Sequence, residues 1–102
     1  MPISNVEETY SKEYRVFDES GNIISQRSIG SQEELVGIGI DFYVTFNRNE
    51  LYTWNEKSQR ITSRTFSDFK VKNVTSNFIN LQRGNEIYTY DKNFKLLNTR
   101  TI

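Results

Sequence analysis

The sequence predicts an all-β protein built from three copies of one antiparallel, blade-like unit. Composition is the first observation: the 102 residues include no alanine, one proline and 14% aromatic residues. The strongest helix former is therefore absent, while residues that favour strands are abundant. The other two observations are an internal repeat and the alternation of apolar and polar residues within each copy.

The three copies of the repeat begin at Glu13, Glu50 and Glu86, which are 37 and then 36 residues apart. Each copy carries an aromatic residue at its fifth position, Asp or Asn at its sixth, and an arginine near its end. The aromatic residues are Phe17, Trp54 and Tyr90, the turn residues are Asp18, Asn55 and Asp91, and the arginines are Arg27, Arg64 and Arg100. A period of this length is typical of solenoids, propellers and arrays.

In the first copy, residues 1–12 form a short lead that is expected to add a strand beside it. Residues 13–17 then alternate as a strand, residues 18–21 supply turn chemistry, and a second strand begins at Ile23. The sixth-position residues are expected to cap the backbone of these turns. The polar segment 30–34 is the predicted boundary with the second copy.

The second and third copies are more complete. Two apolar segments, 35–40 and 42–46, precede the 50–54 strand, and residues 47–49 form a tight-turn signal. The third copy repeats this layout, with its turn at residues 83–85. Four short strands therefore fit into about 36 residues, which matches usual strand lengths. Gly37 and Gly39 lie within an apolar strand, where they indicate close packing. The sequence predicts a single domain, 1–102, with repeats at about 5–30, 35–67 and 71–102.

Residues 77–102 combine an apolar strand, a Gly-Asn turn, an I-Y-x-Y-D strand and a K-L-L-x-x-R-x-I strand. This pattern, which extends over the chain from about residue 13, resembles the blades of β-propellers of the NHL or YWTD kind. A propeller needs at least four blades, and the chain holds about 2.5 to 3. The resemblance therefore implies a partial propeller completed by oligomerisation, as a homodimer or homotrimer. A β-trefoil and a small β-sandwich monomer are the alternatives.

Charge and residue usage narrow the classes of function. Lys plus Arg equals Asp plus Glu at 13 each, so no overall field favours a nucleic acid or an anionic membrane. The N-terminal residues lack a signal-peptide pattern, and a cytoplasmic protein is expected. Without cysteine or histidine, the chain lacks thiolate chemistry, the commonest general base and the commonest metal ligand. The sequence predicts no enzyme, no metal and no cofactor.

The candidate binding residues are repeated aromatic and arginine side chains: Tyr52, Trp54, Tyr88, Tyr90, Arg64 and Arg100. Aromatic rings can stack on a ligand, and arginine can bind a carboxylate or phosphate. In the competing interpretation, the rings fill space between blades and each arginine pairs with the Glu that opens its copy. Trp54 is expected to be exposed.

The hypothesis is a non-catalytic binding module that recognises a small polar ligand, a glycan or a protein partner. One alternative is a protein-interaction factor, for example an inhibitor of a host protein carried by a phage or mobile element. A second alternative is an enzyme without histidine or cysteine.

Overall fold

A computed structural model describes residues 2–102, which form eleven β-strands in three antiparallel sheets and contain no helix. The all-β prediction is confirmed. Sheet 1 contains β1 (Asn5–Glu8), β2 (Glu13–Phe17) and β3 (Ile23–Ser28). Sheet 2 contains β4 (Glu33–Ile38), β5 (Phe42–Asn47), β6 (Glu50–Asn55) and β7 (Arg60–Thr65). Sheet 3 contains β8 (Lys70–Val74), β9 (Ile79–Arg83), β10 (Glu86–Tyr90) and β11 (Leu96–Thr101).

Each sheet is a meander in which strands pair with their neighbours in sequence. The lead segment forms β1, which pairs with β2 in the register Val6 to Val16, so the added strand is confirmed. Sheet 1 has no equivalent of β4 and β8, the first strands of the other two sheets. Within residues 2–102 the strand pairs join only strands of one repeat. A β-trefoil pairs strands of different repeats, and a sandwich has two sheets, so neither alternative matches.

The turn after the fifth position has the same structure in all three copies. Asp18 Oδ1 accepts hydrogen bonds from the backbone N–H groups two and four residues later, both at 2.9 Å. Asn55 and Asp91 make the same pair of bonds in their own turns. The predicted capping role of these three residues is therefore confirmed.

The fourth residue of each of these turns adopts a left-handed backbone. Gly21 has a φ of 81°, Ser58 of 60° and Phe94 of 58°. Glycine adopts this conformation without cost, whereas other residues need support from their surroundings. Phe94 has that support, because its ring is buried among apolar side chains.

Two glycines of β4 and the following loop lie where no side chain would fit. A Cβ atom on Gly37 would overlap the side chain of Val74 in sheet 3, and one on Gly39 would overlap the ring of Phe42. The close-packing interpretation of these glycines is confirmed. Gly37 in particular allows β4 and β8 to approach each other.

The sheets pack face to face through two apolar clusters. Junction 1–2, between sheets 1 and 2, has these buried residues: Ile3, Val6, Tyr14, Val16 and Tyr43. Junction 2–3, between sheets 2 and 3, has these: Phe42, Val44, Leu51, Ile79, Leu81, Tyr90 and Phe94. Neighbouring residues of a strand point to opposite faces.

In every copy, counted from its opening Glu, the second and fourth residues point in the direction of the following sheet, and their side of the sheet is called the forward face. The third and fifth residues point in the direction of the preceding sheet, and their side is called the backward face.

Candidate functional site

Arg27 lies at the centre of junction 1–2, where its guanidinium is held on several sides. Its Cζ is 3.6 Å from the ring centroid of Trp54. Its Nε donates to the hydroxyl of Tyr43 at 2.9 Å, and its two terminal nitrogens donate to the carboxylate of Glu33 at 3.0 and 2.5 Å. This fork geometry is the strong form of an arginine–carboxylate pair.

The partner of Arg27 differs from the one that the sequence indicated. Arg27 is opposite Tyr14 in the strand register, whereas Glu13 is opposite Ser28. Adjacent positions of a strand face opposite ways, so Glu13 and Arg27 lie on different faces of sheet 1. The expected pairing with the opening Glu is therefore wrong for this copy, and Glu33 at the start of sheet 2 takes its place.

The ion pair shifts the pKa values of both of its members. Burial tends to raise the pKa of the Glu33 carboxyl, but hydrogen bonds from Arg27, Thr45 and the Gly30 backbone outweigh it and lower that pKa. Burial likewise tends to lower the pKa of Arg27, while the bonds to Glu33 and Tyr43 raise it overall. Both groups are therefore held in their charged forms.

Trp54 is half-buried in junction 1–2 and is not the exposed ring that the sequence predicted. Its ring stacks on Tyr43 with centroids 6.2 Å apart and planes at 16°. Its indole N–H donates to Thr45 Oγ1 at 2.9 Å. The fifth position faces the preceding sheet, and here sheet 1 covers it. Tyr52, two residues earlier, is also half-buried, and its ring centroid is 6.2 Å from that of Trp54.

Tyr14 adds a buried polar group to the same junction. Its side chain is 1% exposed, and its hydroxyl has no hydrogen-bond partner among the described residues. Burial, followed by the nearby carboxylates of Glu33 and Glu8, raises the pKa of Tyr14 to about 12. The neutral phenol is thus strongly favoured.

Junction 2–3 repeats the contact between an arginine and a fifth-position ring in a looser form. The Cζ of Arg64 is 5.7 Å from the ring centroid of Tyr90 and 5.3 Å from that of Phe66. Its terminal nitrogen donates to the carbonyl of Phe94 at 3.4 Å. Phe69 stands at the position that Glu33 has in sheet 2. An aromatic ring thus replaces the carboxylate that holds Arg27.

A cavity of about 440 Å³ opens at this end of junction 2–3. Its apolar wall is formed by these residues: Val36, Phe46, Leu51, Phe66, Phe69, Val71 and Leu81. Three polar residues complete the lining: Asn49, Asp68 and Lys70. Glu33, at the position that corresponds to Phe69, is bound to Arg27 in junction 1–2. The two junctions therefore differ at this position, with an ion pair in one and an aromatic ring that lines the cavity in the other.

The predicted binding residues do not converge on one site. Tyr52 and Trp54 lie in junction 1–2, and Arg64 and Tyr90 lie in junction 2–3. Tyr88 is also in junction 2–3, where its ring is 5.3 Å from that of Phe69. Arg100 is exposed on the forward face of sheet 3, opposite Ile87. As ligand contacts, all six residues stay predictions.

The cavity residues Phe66 and Phe69 were missed by the sequence reasoning, although a signal was present. Phe66 stands where the other copies have Ile29 and Ile102, and Phe69 stands where the second copy has Glu33. Both departures from the repeat can be read from the sequence alone. The repeated Arg27 and Trp54, in contrast, contact each other across junction 1–2.

No helix of residues 2–102 is long and apolar enough to cross a membrane. No protein-family model matches the chain, and the search of curated proteins gave no match either.

Proposed function

We propose that the protein is a non-catalytic binding module whose cavity in junction 2–3 holds a small ligand. The observation that supports this proposal is the cavity itself, which has a volume of about 440 Å³ and a wall made mainly of apolar side chains with a few polar groups. Ligand sites typically have volumes of roughly 300 to 1,000 Å³ and this kind of lining. The absence of histidine and cysteine from the sequence supports a role without catalysis.

The lining indicates the chemistry of the ligand. The rings of Phe46, Phe66 and Phe69 favour an aromatic or alicyclic body, because such rings contact one another over large areas. Asp68 and Lys70 present opposite charges, so a neutral or zwitterionic polar end fits better than an ion of one sign. A glycan, which is polar over most of its surface, fits this wall less well than the sequence-based hypothesis assumed.

The uncharged fluorescent probe N-phenyl-1-naphthylamine tests this proposal. We expect its emission to rise on binding to the wild-type protein, with one probe per chain. Val36→Phe adds volume inside the cavity and is expected to weaken binding at least about tenfold. Leu35→Phe is the matched control, because Leu35 is the neighbouring residue of β4 and packs into junction 1–2.

Circular dichroism and thermal unfolding establish that both variants are folded before they are compared. If the wild-type protein does not bind the probe, or if Val36→Phe binds it as well as Leu35→Phe does, the cavity is not the site. A probe signal that appears only as the protein unfolds also counts against the proposal.

The assembly and location expected from the sequence belong to the same proposal. We propose that the three blade-like sheets are part of a propeller-type ring closed by one or two further copies of the chain. The reason for this proposal is that sheets 1 and 3 each have a face without a neighbouring sheet, whereas a propeller has at least four blades. A cytoplasmic location is likewise proposed from the sequence.

A further inference from the structure

The two sheet faces at the ends of the stack have no neighbouring sheet, and the repeat allows their residues to be compared with equivalent residues inside the stack. The head face is the forward face of sheet 3, and the tail face is the backward face of sheet 1. In sheets 1 and 2 the forward face packs against the following sheet. Each residue of the head face therefore has equivalents whose contacts within the chain are known.

Large apolar residues are exposed on the head face at positions that are packed elsewhere. Phe78 is 43% exposed, Leu97 47% and Ile102 64%. Phe42, the equivalent of Phe78, is 1% exposed in junction 2–3. The equivalents of the other two are also packed in the junctions: Ile24 and Ile61 for Leu97, and Ile29 and Phe66 for Ile102. At these three positions the head face is thus a junction surface without its neighbour, whereas Ile87 on the same face is 0% exposed.

A chain of backbone hydrogen bonds runs between the sheets and stops at the same end. The N–H of Ile3 donates to the carbonyl of Ile40 at 2.6 Å, and the N–H of Ile40 donates to the carbonyl of Ser76 at 2.8 Å. These residues are equivalent, 37 and then 36 positions apart. Continuation of the series would have the N–H of Ser76 donate to the carbonyl of Ile3 in another copy.

The contact between an arginine and a fifth-position ring would also continue from the head face of one copy to the tail face of another. Arg27 lies on Trp54, and Arg64 lies near Tyr90, in each case across a junction. Arg100 is the third member of the series and is exposed on the head face. The matching ring on the tail face is the half-buried Phe17, the fifth residue of the first copy.

Charge and shape are also complementary between the two end faces. Lys72 and Arg100 lie on the head face, whereas the tail face carries the two carboxylates of Glu7 and Glu13 beside one arginine, Arg15. Asn73 occupies the position that Gly37 has in β4. Gly37 is needed because β8 approaches β4, but sheet 1 has no equivalent of β8, so a larger residue at Asn73 is compatible with the tail face.

We propose that the head face of one copy packs against the tail face of a second copy, so that two copies form a closed ring of six sheets. This inference rests on the ring assembly proposed above. Asn80 and Gln82 replace the Val44 and Phe46 of sheet 2, so the junction between copies is more polar than junction 2–3. It therefore dissociates on dilution, before the chain unfolds.

Analytical ultracentrifugation over a range of protein concentrations tests this register. The wild-type protein is expected at the mass of two chains. Leu97→Arg, which places a charge in the new junction, is expected to raise the dimer dissociation constant at least about tenfold. Leu96→Arg is the matched control: Leu96 is 49% exposed, and its equivalents Ile23 and Arg60 are exposed as well.

A mixing experiment identifies the two faces independently. Asn5→Arg alters the tail face at an exposed position equivalent to the buried Tyr43. We expect each variant to be a folded monomer alone, and an equimolar mixture of Leu97→Arg and Asn5→Arg to form a one-to-one dimer through the one unaltered pair of faces.

A monomeric or trimeric wild-type protein overturns the six-sheet ring. If the protein is a dimer that both arginine variants leave intact, this register is wrong while self-assembly stands. Probe binding in junction 2–3, measured separately, decides the ligand proposal in either case.

Discussion

The guanidinium carbon of Arg27 lies 3.6 Å from the ring centroid of Trp54, although the two residues belong to different repeats and different sheets. The same guanidinium binds Glu33 and Tyr43 of sheet 2. Arg27 thus makes three hydrogen bonds to side chains of sheet 2. Junction 1–2 depends on an aromatic ring and an ion pair as well as on its apolar residues.

Trp54→Ala is expected to lower the free energy of unfolding by about 3 kcal/mol, because it removes a large ring packed between two sheets. Trp54→Phe, which introduces the residue of the first copy, is expected to cost less than half as much. Urea unfolding followed by circular dichroism measures both. If Trp54→Ala leaves the urea midpoint unchanged, the ring does not support the junction, and a role in ligand contact becomes the better interpretation.

Glu33→Gln is expected to destabilise the protein at neutral pH by roughly 3 kcal/mol, because it leaves the Arg27 charge buried without its partner. The folded state lowers the pKa of Glu33 below its ordinary value of 4.5. The contribution of this carboxylate is therefore fully present above pH 4.5 and is lost as the pH falls through the lowered pKa.

The control for this prediction is Glu34→Gln, which alters the exposed neighbouring residue. Unfolding free energies are measured between pH 2 and pH 7 for the two variants and the wild type. The difference between wild type and Glu33→Gln should shrink towards pH 2. A difference that is constant over this range would show that charge pairing is not its origin.

Tyr14→Phe is expected to stabilise the protein by about 1 kcal/mol at neutral pH, because it removes a buried hydroxyl that has no partner among residues 2–102. The folded state raises the pKa of Tyr14 from 10.0 to about 12. The wild-type protein should therefore lose stability as the pH rises from 10 to 12, by roughly 2 to 3 kcal/mol in full.

Tyr14→Phe should not show the part of this loss of stability at alkaline pH that comes from ionisation of Tyr14. Guanidinium unfolding at pH 7 and pH 11 provides the comparison, and Tyr10→Phe, at a fully exposed position, is the control. If Tyr14→Phe is less stable than the wild type at pH 7, the hydroxyl has a partner that the geometry does not reveal.

Arg48→Gly is expected to stabilise the protein by about 1 kcal/mol. Arg48 and Gly84 occupy the same position in equivalent turns, with φ angles of 59° and 62°. A side chain in this left-handed conformation costs roughly 1 to 2 kcal/mol, which glycine avoids. Part of the gain is offset because glycine is more flexible in the unfolded chain.

The reciprocal variant, Gly84→Arg, should destabilise the protein by a similar amount. Open space surrounds a Cβ atom built at Gly84, so its cost would arise from the backbone conformation and not from a clash. Thermal unfolding of the two variants gives shifts of opposite sign if this explanation is right. Shifts of the same sign would contradict it.

Local features of the fold could be predicted from the sequence because they depend on residues close together in the chain. The caps made by Asp18, Asn55 and Asp91 are examples, since side chain and backbone donors are two and four residues apart. The strand of the lead segment is another, because it pairs with the strand that follows it in sequence, with Val6 opposite Val16. Both features depend on residues that are close together in the chain.

The contacts across the junctions could not be predicted in the same way. The alternation of residues shows that Glu13 and Arg27 each point to one face of their strand. It does not show which sheet packs against that face. The partner of Arg27 comes from β4, and Trp54 is covered by sheet 1. Phe69, which lines the cavity, stands where sheet 2 has a carboxylate, and the volume of the cavity follows from how two sheets pack.

The meander arrangement, in which each strand pairs only with its neighbour in sequence, has a consequence for how the chain folds. In the register of the three sheets, paired residues are at most 15 positions apart, as Glu13 and Ser28 are. Short loops close at low entropic cost, and proteins dominated by local contacts fold faster than other all-β proteins. Each sheet can form soon after its own residues are available, so its strands need not wait for the rest of the chain.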